Sequence, residues 1–169
     1  KEENPAVRKA WYHLGFIDND VMVFMEYLCA SAACRLAGFS MDLFQYQTGE
    51  MTYSMWEKMG LDFCEAVRKA MDAEPDVEEL LFVLDDFQAV TDEGVLTVME
   101  KILEYLPAKV RMFIGTKGQL PGFVDRRVLE GEAAVMTAQQ LAFTEEEAKK
   151  LSQTMGVLEG EEETMSVIW

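Results

Sequence analysis

Positive charge is scarce in this chain: 15 lysines and arginines stand against 31 aspartates and glutamates, a formal net charge of −16. Such a field repels phosphate backbones, so these residues are not expected to grip DNA or RNA themselves. Histidine is scarcer still. One histidine and three cysteines that form no Cys-x-x-Cys pair cannot assemble a standard zinc site. Cys29, Cys34 and Cys64 read instead as reduced, buried small hydrophobes. No apolar run approaches the roughly 18 residues that a membrane helix needs, and there is no internal repeat, heptad run or low-complexity tract. A Gly-x-x-x-x-Gly-Lys-Ser/Thr loop, whose backbone N–H groups cradle phosphates and whose lysine reaches the β and γ phosphates, is also missing. The chain opens on Lys1 with no basic-then-apolar leader, so it reads as an excised piece of a longer, soluble, cytoplasmic protein.

Half of the 169 residues are hydrophobic and 27% are charged, enough for one globular domain with a proper core. The organising stretch is Leu80 to Phe87, Leu-Leu-Phe-Val-Leu-Asp-Asp-Phe. A short apolar run without alternation predicts a central parallel strand covered by helices on both faces, although periodicity alone also admits a buried helix segment. Strand carboxyl ends face the ligand crevice of open α/β sheets, which puts Asp85 and Asp86 where a metal or phosphate is handled. An apolar strand ending in paired acids is the Walker B pattern, one carboxylate holding Mg2+ and the next ordering water. The plainer reading is a buried strand whose acids begin a turn and cap the next helix.

Around it the pattern alternates. Lys9 to Phe16 reads as an aromatic-rich strand carrying His13, an imidazole without a recognisable partner and therefore structural. Ile17 to Asp20 reads as a loop with helix-start residues, followed by a helix to about Ala37 that Gly38 ends. Ser54 and Glu57 predict a capping box at the start of a helix through Met59, Phe63, Val67 and Ala70 or Met71. Ala73 to Glu79 is an acidic connector. A helix from Thr91 or Asp92 carries Val95, Val98, Met99, Ile102, Leu103 and Leu106 on one face and is closed by Pro107. Val110 to Thr116 predicts another strand, Lys117 to Gly122 the loop at its carboxyl end, and Ala133 to Thr137 a further short strand. Thr144 and Glu147 predict a second capping box. The order is that of a mostly parallel α/β domain.

From Ala10 to about Leu151 the chain resembles the nucleotide-binding domain of STAND-type ATPases found in large LuxR-type transcription regulators, the group typified by the maltose-regulon activator. Trp11 to Leu14 with Asp18-Asn19-Asp20 resembles the family's second strand and the start of its helix. Leu80 to Phe87 resembles its Walker B strand and Phe113 to Lys117 its sensor strand. Gln139 to Thr144 is similar to its Gln-Leu-x-Phe-Thr signature. The resemblance implies a P-loop NTPase-like three-layer domain with a mostly parallel sheet, missing its first strand and Walker A loop. It implies residues 1–155 as a partial nucleotide-binding domain and 156–169 as a tail into a following helical domain. By that likeness Asp85 would hold the Mg2+ of ATP or ADP, Asp86 would position the attacking water as the catalytic acid, and Thr116 and Lys117 would meet the nucleotide phosphates.

The implied parent is a transcription-regulating switch and a slow ATPase at most. It self-associates, takes a small-molecule inducer on another domain, binds DNA through a separate carboxyl-terminal helix-turn-helix, and has no membrane partner. This piece, without its P-loop, is expected to bind no nucleotide and to be inactive. A missing mid-sheet strand further predicts a changed strand order or a dimer. Lys117 stands where relatives carry a sensor arginine, and Glu130 where they often carry another, with Arg126 and Arg127 close enough in sequence to substitute. Two other readings remain: an interaction or oligomerisation module that kept the scaffold and lost nucleotide, for which twelve methionines offer adaptable contact surface, and a receiver-like domain using Asp85, Asp86, Thr116 and Lys117.

Overall fold

The computed structural model describes residues 6–46 and 51–155. They form two compact units, the first reaching Phe123 and the second starting at Val124. The Gly49 break and the tail from Gly156 to Trp169 lie outside the described residues.

In the first unit, strand β1 (Val7–His13) leads through helices α1 (Val21–Ala33) and α2 (Tyr53–Ala73) to strand β2 (Glu79–Asp85), and helix α3 (Glu93–Tyr105) leads on to strand β3 (Val110–Ile114). The fold class is α/β with an open, all-parallel sheet in the order β1-β2-β3. The central strand β2 pairs with β1 from Val7↔Glu79 to His13↔Asp85 and with β3 from Leu80↔Val110 to Leu84↔Ile114. A parallel pair cannot be closed by a tight hairpin, and the helices supply the crossovers. Within these three strands the sheet is continuous, β2 having a hydrogen-bonded neighbour on each side.

Local sequence explains the helix starts. The Asp20 carboxylate accepts from the Met22 and Val23 amides at 2.9 and 3.0 Å, and the Asp92 carboxylate accepts from Val95 at 3.0 Å, each satisfying N–H groups that a first turn leaves orphaned. Two helix boundaries differ from expectation. Helix α1 stops at Ala33 with Cys34 as its cap, so Gly38 does not end it. Leu36 beyond the helix is nonetheless buried, so an apolar spacing continued where the hydrogen-bonded helix did not. Helix α2 starts after Thr52 with no side-chain cap, and Glu57 reaches Lys101 at 3.3 Å instead of the predicted capping box.

Tyr12, Phe24, Phe63, Phe82, Phe87, Leu80, Leu84, Val98 and Ile102 belong to one continuous core. The Phe63 and Phe82 rings lie 5.8 Å apart, carrying α2 onto β2. Helices α2 and α3 approach closely at Gly60, where an added Cβ would lie 2.8 Å from both the Val98 carbonyl oxygen and the Lys101 Cβ. Cys29 and Cys64 are buried as predicted, but Cys34 is exposed.

The two faces of the central strand are buried to different degrees. Along β2 the burial alternates, with Leu80, Phe82 and Leu84 inside and Leu81, Val83 and Asp85 only partly covered. Within the first unit α1, α2 and α3 pack on the Leu80, Phe82 and Leu84 face. Leu81 and Val83 are as apolar as their neighbours, so hydrophobicity did not alternate where burial does.

The second unit contains most of α4 (Gly122–Leu129), together with α5 (Ala138–Leu141) and α6 (Glu145–Met155). The predicted Thr144–Glu147 capping box is present: the Thr144 amide donates to Glu147 Oε2 at 2.9 Å, and the Glu147 amide to Thr144 Oγ1 at 3.3 Å. The predicted strand at Ala133–Thr137 is not formed. That segment is irregular and largely exposed, without a neighbouring strand to reward extension of its small apolar residues. Among the described residues no helix is long and apolar enough to cross a membrane.

Candidate functional site at the carboxyl ends of the strands

The register of β1 on β2 sets His13 beside Asp85, and the Leu14 amide extends the pairing by donating to the Asp85 carbonyl at 2.9 Å. Side chains directly across a parallel pair point to the same face, so the imidazole and the carboxylate emerge together. His13 Nδ1 lies 3.8 Å from Asp85 Oδ2 and 3.6 Å from Asp86 Oδ2. The histidine read as structural is two-thirds exposed and belongs to this cluster. The missed signal was positional: two strands of equal length, paired in parallel, end on His13 and Asp85.

Asp86 breaks the strand. Its φ of +57° places it in the left-handed region, the one described non-glycine residue there, a conformation aspartate tolerates better than most. Its amide donates to Asp85 Oδ1 at 3.0 Å. Its own Oδ1 accepts from Gln88 Nε2 at 2.7 Å and from Lys117 Nζ at 3.0 Å. Gln88 ties the two sides, because its Oε1 accepts from the Lys117 amide at 2.9 Å. The Gln88 amide and the Lys117 ammonium, with His13 adding its share, hold the Asp86 carboxyl below the usual carboxylate range. Asp86 is thus an ionised, positioned acid and a poor proton acceptor.

Gly115 lets β3 reach this point. A Cβ there would lie 2.9 Å from Asp85 Oδ1, and the Phe87 amide donates to the Gly115 carbonyl at 2.8 Å.

The Asp18-Asn19-Asp20 stretch supports the site from behind, each residue differently. Asp18 is buried, accepting from the Tyr12 hydroxyl at 2.5 Å and the Gly15 amide at 2.6 Å. Asn19 fastens the loop after β2, donating to the Ala89 carbonyl at 2.6 Å and accepting from the Thr91 and Asp92 amides at 2.7 and 3.0 Å. Asp20 caps α1.

Thr116 and Lys117, paired in the sequence reading, diverge. Lys117 turns to Asp86, whereas Thr116 lines a neighbouring cleft of about 360 Å³ with Phe87, Gln88, Thr91, Leu96 and Leu120, among others, none of them charged. Among the described residues no group of three or more His, Cys, Asp or Glu side chains is arranged to hold a metal ion. Mg2+ usually takes only one or two carboxylates and keeps water or phosphate oxygens for the rest, so Asp85 is compatible with a water- and phosphate-completed ion. Arg126, Arg127 and Glu130 belong to the second unit, where Arg127 pairs with Glu132 at 2.8 Å.

No family model matches the chain, and no curated protein does.

Proposed function

We propose that the chain is the acid-pair part of a nucleotide-dependent regulatory switch domain, in the manner of the LuxR-type STAND ATPases its motifs resemble, and that it lacks the phosphate cradle needed to act alone. The observation that carries this reading is the convergence of Asp85, Asp86, His13 and Lys117 at the carboxyl ends of three parallel strands. Asp85 is the Mg2+ ligand, with its carboxylate anchored by the Asp86 amide. Asp86, kept ionised by Gln88 and Lys117, orders water. Lys117 moves between Asp86 and a phosphate as a point charge. Thr116 offers its hydroxyl from the adjoining cleft. ATP or ADP with Mg2+ supplies the charge that the acids and Lys117 respond to. Cytoplasmic location, self-association, an inducer site and a DNA-binding domain belong to the implied parent.

Calorimetric titration of ATP and ADP with Mg2+ tests the proposal, using this chain, a version extended upstream through any P-loop, and Asp85→Asn in both. Binding by the extended version alone, with its Mg2+-dependent part weakened in Asp85→Asn, is the expected result. An extended version that has a P-loop and binds neither nucleotide overturns it.

A further inference from the structure

Lys117 is held at two points of different kind. Its ammonium pairs with Asp86 Oδ1 at 3.0 Å, and its backbone amide donates to Gln88 Oε1 at 2.9 Å. The pairing of β3 with β2 ends at Ile114, extended only by the Gly115 amide donating to the Leu84 carbonyl at 2.8 Å. Gly118, at φ +99°, then turns the chain in a conformation that glycine adopts without strain. The Gln88 side chain therefore anchors the backbone at Lys117, beyond the reach of the sheet. The other end of the same carboxamide donates to Asp86 Oδ1 at 2.7 Å. A carboxamide carries a donor and an acceptor side by side, which a bridge from a carboxylate to an N–H group requires. Glutamate could serve only the N–H, and lysine only the carboxylate.

We propose that Gln88 is the positioning residue of the acid pair: it fixes the Asp86 carboxylate and the Lys117 backbone to each other, so that the Lys117 ammonium can release Asp86 without displacing either. Exposure ranks the contacts. The Lys117 side chain is 82% exposed and that of Asp86 28%, so the ion pair is screened by water and costs a long side chain its freedom. Gln88 is shorter, is bonded at both ends and reaches Asp86 through a charge-assisted hydrogen bond. Asp86 has need of that hold, because its φ of +57° is one that few side-chain-bearing residues adopt. When the ammonium leaves, the Gln88 bonds and the bond from the Asp86 amide to Asp85 Oδ1 remain. Lys117 thus swings from a fixed pivot. That it swings toward a phosphate rests on the nucleotide reading above; the bridge itself does not.

The test compares Lys117→Met, Gln88→Leu, Gln88→Glu and Gln88→Lys in this chain by NMR. Hydrogen exchange of the residue-117 amide reads one end of the bridge, and the three-bond couplings that report the Asp86 side-chain rotamer read the other. Lys117→Met should leave the exchange rate unchanged and Asp86 in one rotamer. Gln88→Leu should quicken the exchange about three- to tenfold, as loss of one ordinary hydrogen bond implies, and should average the Asp86 rotamer. The polar variants should divide the two effects: Gln88→Glu keeps the slow exchange and frees Asp86, and Gln88→Lys holds Asp86 and frees the amide. Position 88 is exposed, so the change should be confined to the bridge; exchange quickened along β3 as well would mean general loosening and overturn the proposal. Asp86 averaging in Lys117→Met but not in Gln88→Leu overturns it too, since the lysine would then be the positioning group, as does exchange at residue 117 that ignores Gln88→Leu. A failed nucleotide titration would remove the phosphate and leave these results standing.

Discussion

Replacing Gly60 by alanine pits two effects of known sign against each other. In a helix interior, alanine is favoured over glycine by about 1 kcal/mol, so on propensity alone Gly60→Ala strengthens α2. The packing opposes it. The new Cβ would sit 2.8 Å from the Val98 carbonyl oxygen and the Lys101 Cβ, and 3.4 Å from the Ile102 amide nitrogen, where ordinary contact begins at 3.4 Å. These are backbone and the root of a side chain, so relief requires α2 and α3 to part by about half an ångström. Overpacking of this kind costs about 1–3 kcal/mol. The expected net is a loss of about 1 kcal/mol, which for a chain of this size lowers Tm by roughly 2–4 °C. Gly122→Ala, where nothing lies within 4 Å of the added Cβ, is the control and should not lower Tm. Thermal unfolding followed by circular dichroism reads both. A rise in Tm for Gly60→Ala would mean that α2 and α3 do not approach each other as closely as the 2.8 Å contacts require.

Other expectations concern the site and its supports. Tyr12→Phe removes the donor to buried Asp18 and should destabilise by about 1–3 kcal/mol in urea unfolding; burial and the Asp18 carboxylate raise the Tyr12 pKa well above the tyrosine range, so this contribution is intact below about pH 10 and fades only as pH climbs through the raised value. In Lys117→Met the Asp86 carboxyl should titrate closer to the ordinary carboxylate range when followed by carbon chemical shifts. Because the folded pKa is depressed, the stabilisation linked to Asp86 is present above about pH 4 and lost as pH falls through the folded value; a wild-type Asp86 that titrates no lower than in Lys117→Met would refute the pairing. Cys34 should react with a thiol reagent at once, whereas Cys29 and Cys64, buried and with thiols pushed up to about 12, should wait for unfolding; three fast thiols would contradict the packing. Gly115→Ala should displace the Asp85 carboxylate and shift its resonances without unfolding the chain.

Much of the fold was legible because short-range physics decided it. The apolar run Leu80 to Leu84 and the aromatic stretch around Trp11 formed strands, and the stripe Val95 to Ile102 formed a helix, because periodicity and capping aspartates act locally. The errors lie where tertiary context decides. Leu81 and Val83 look as buried as Leu80 and Phe82, yet strand order and crossovers place all three principal helices on the other side. Ala133 to Thr137 has strand-like apolar content but no neighbour to pair with among the described residues. Asp85, Asp86 and Lys117 were legible as a group from the strand-end rule. His13 was not, because its partners come from a strand 72 residues on, through a register that no local pattern records.

The most direct test of the acid pair as a Mg2+ site is paramagnetic broadening of the labelled chain by Mn2+, with Mg2+ as competitor. Broadening centred on His13, Asp85, Asp86 and Gly115 to Lys117, reversed by Mg2+ and lost in Asp85→Asn, is the predicted result. Broadening spread over the acidic surface of α6 and the Ala73–Glu79 connector, and unaffected by Asp85→Asn, would contradict it.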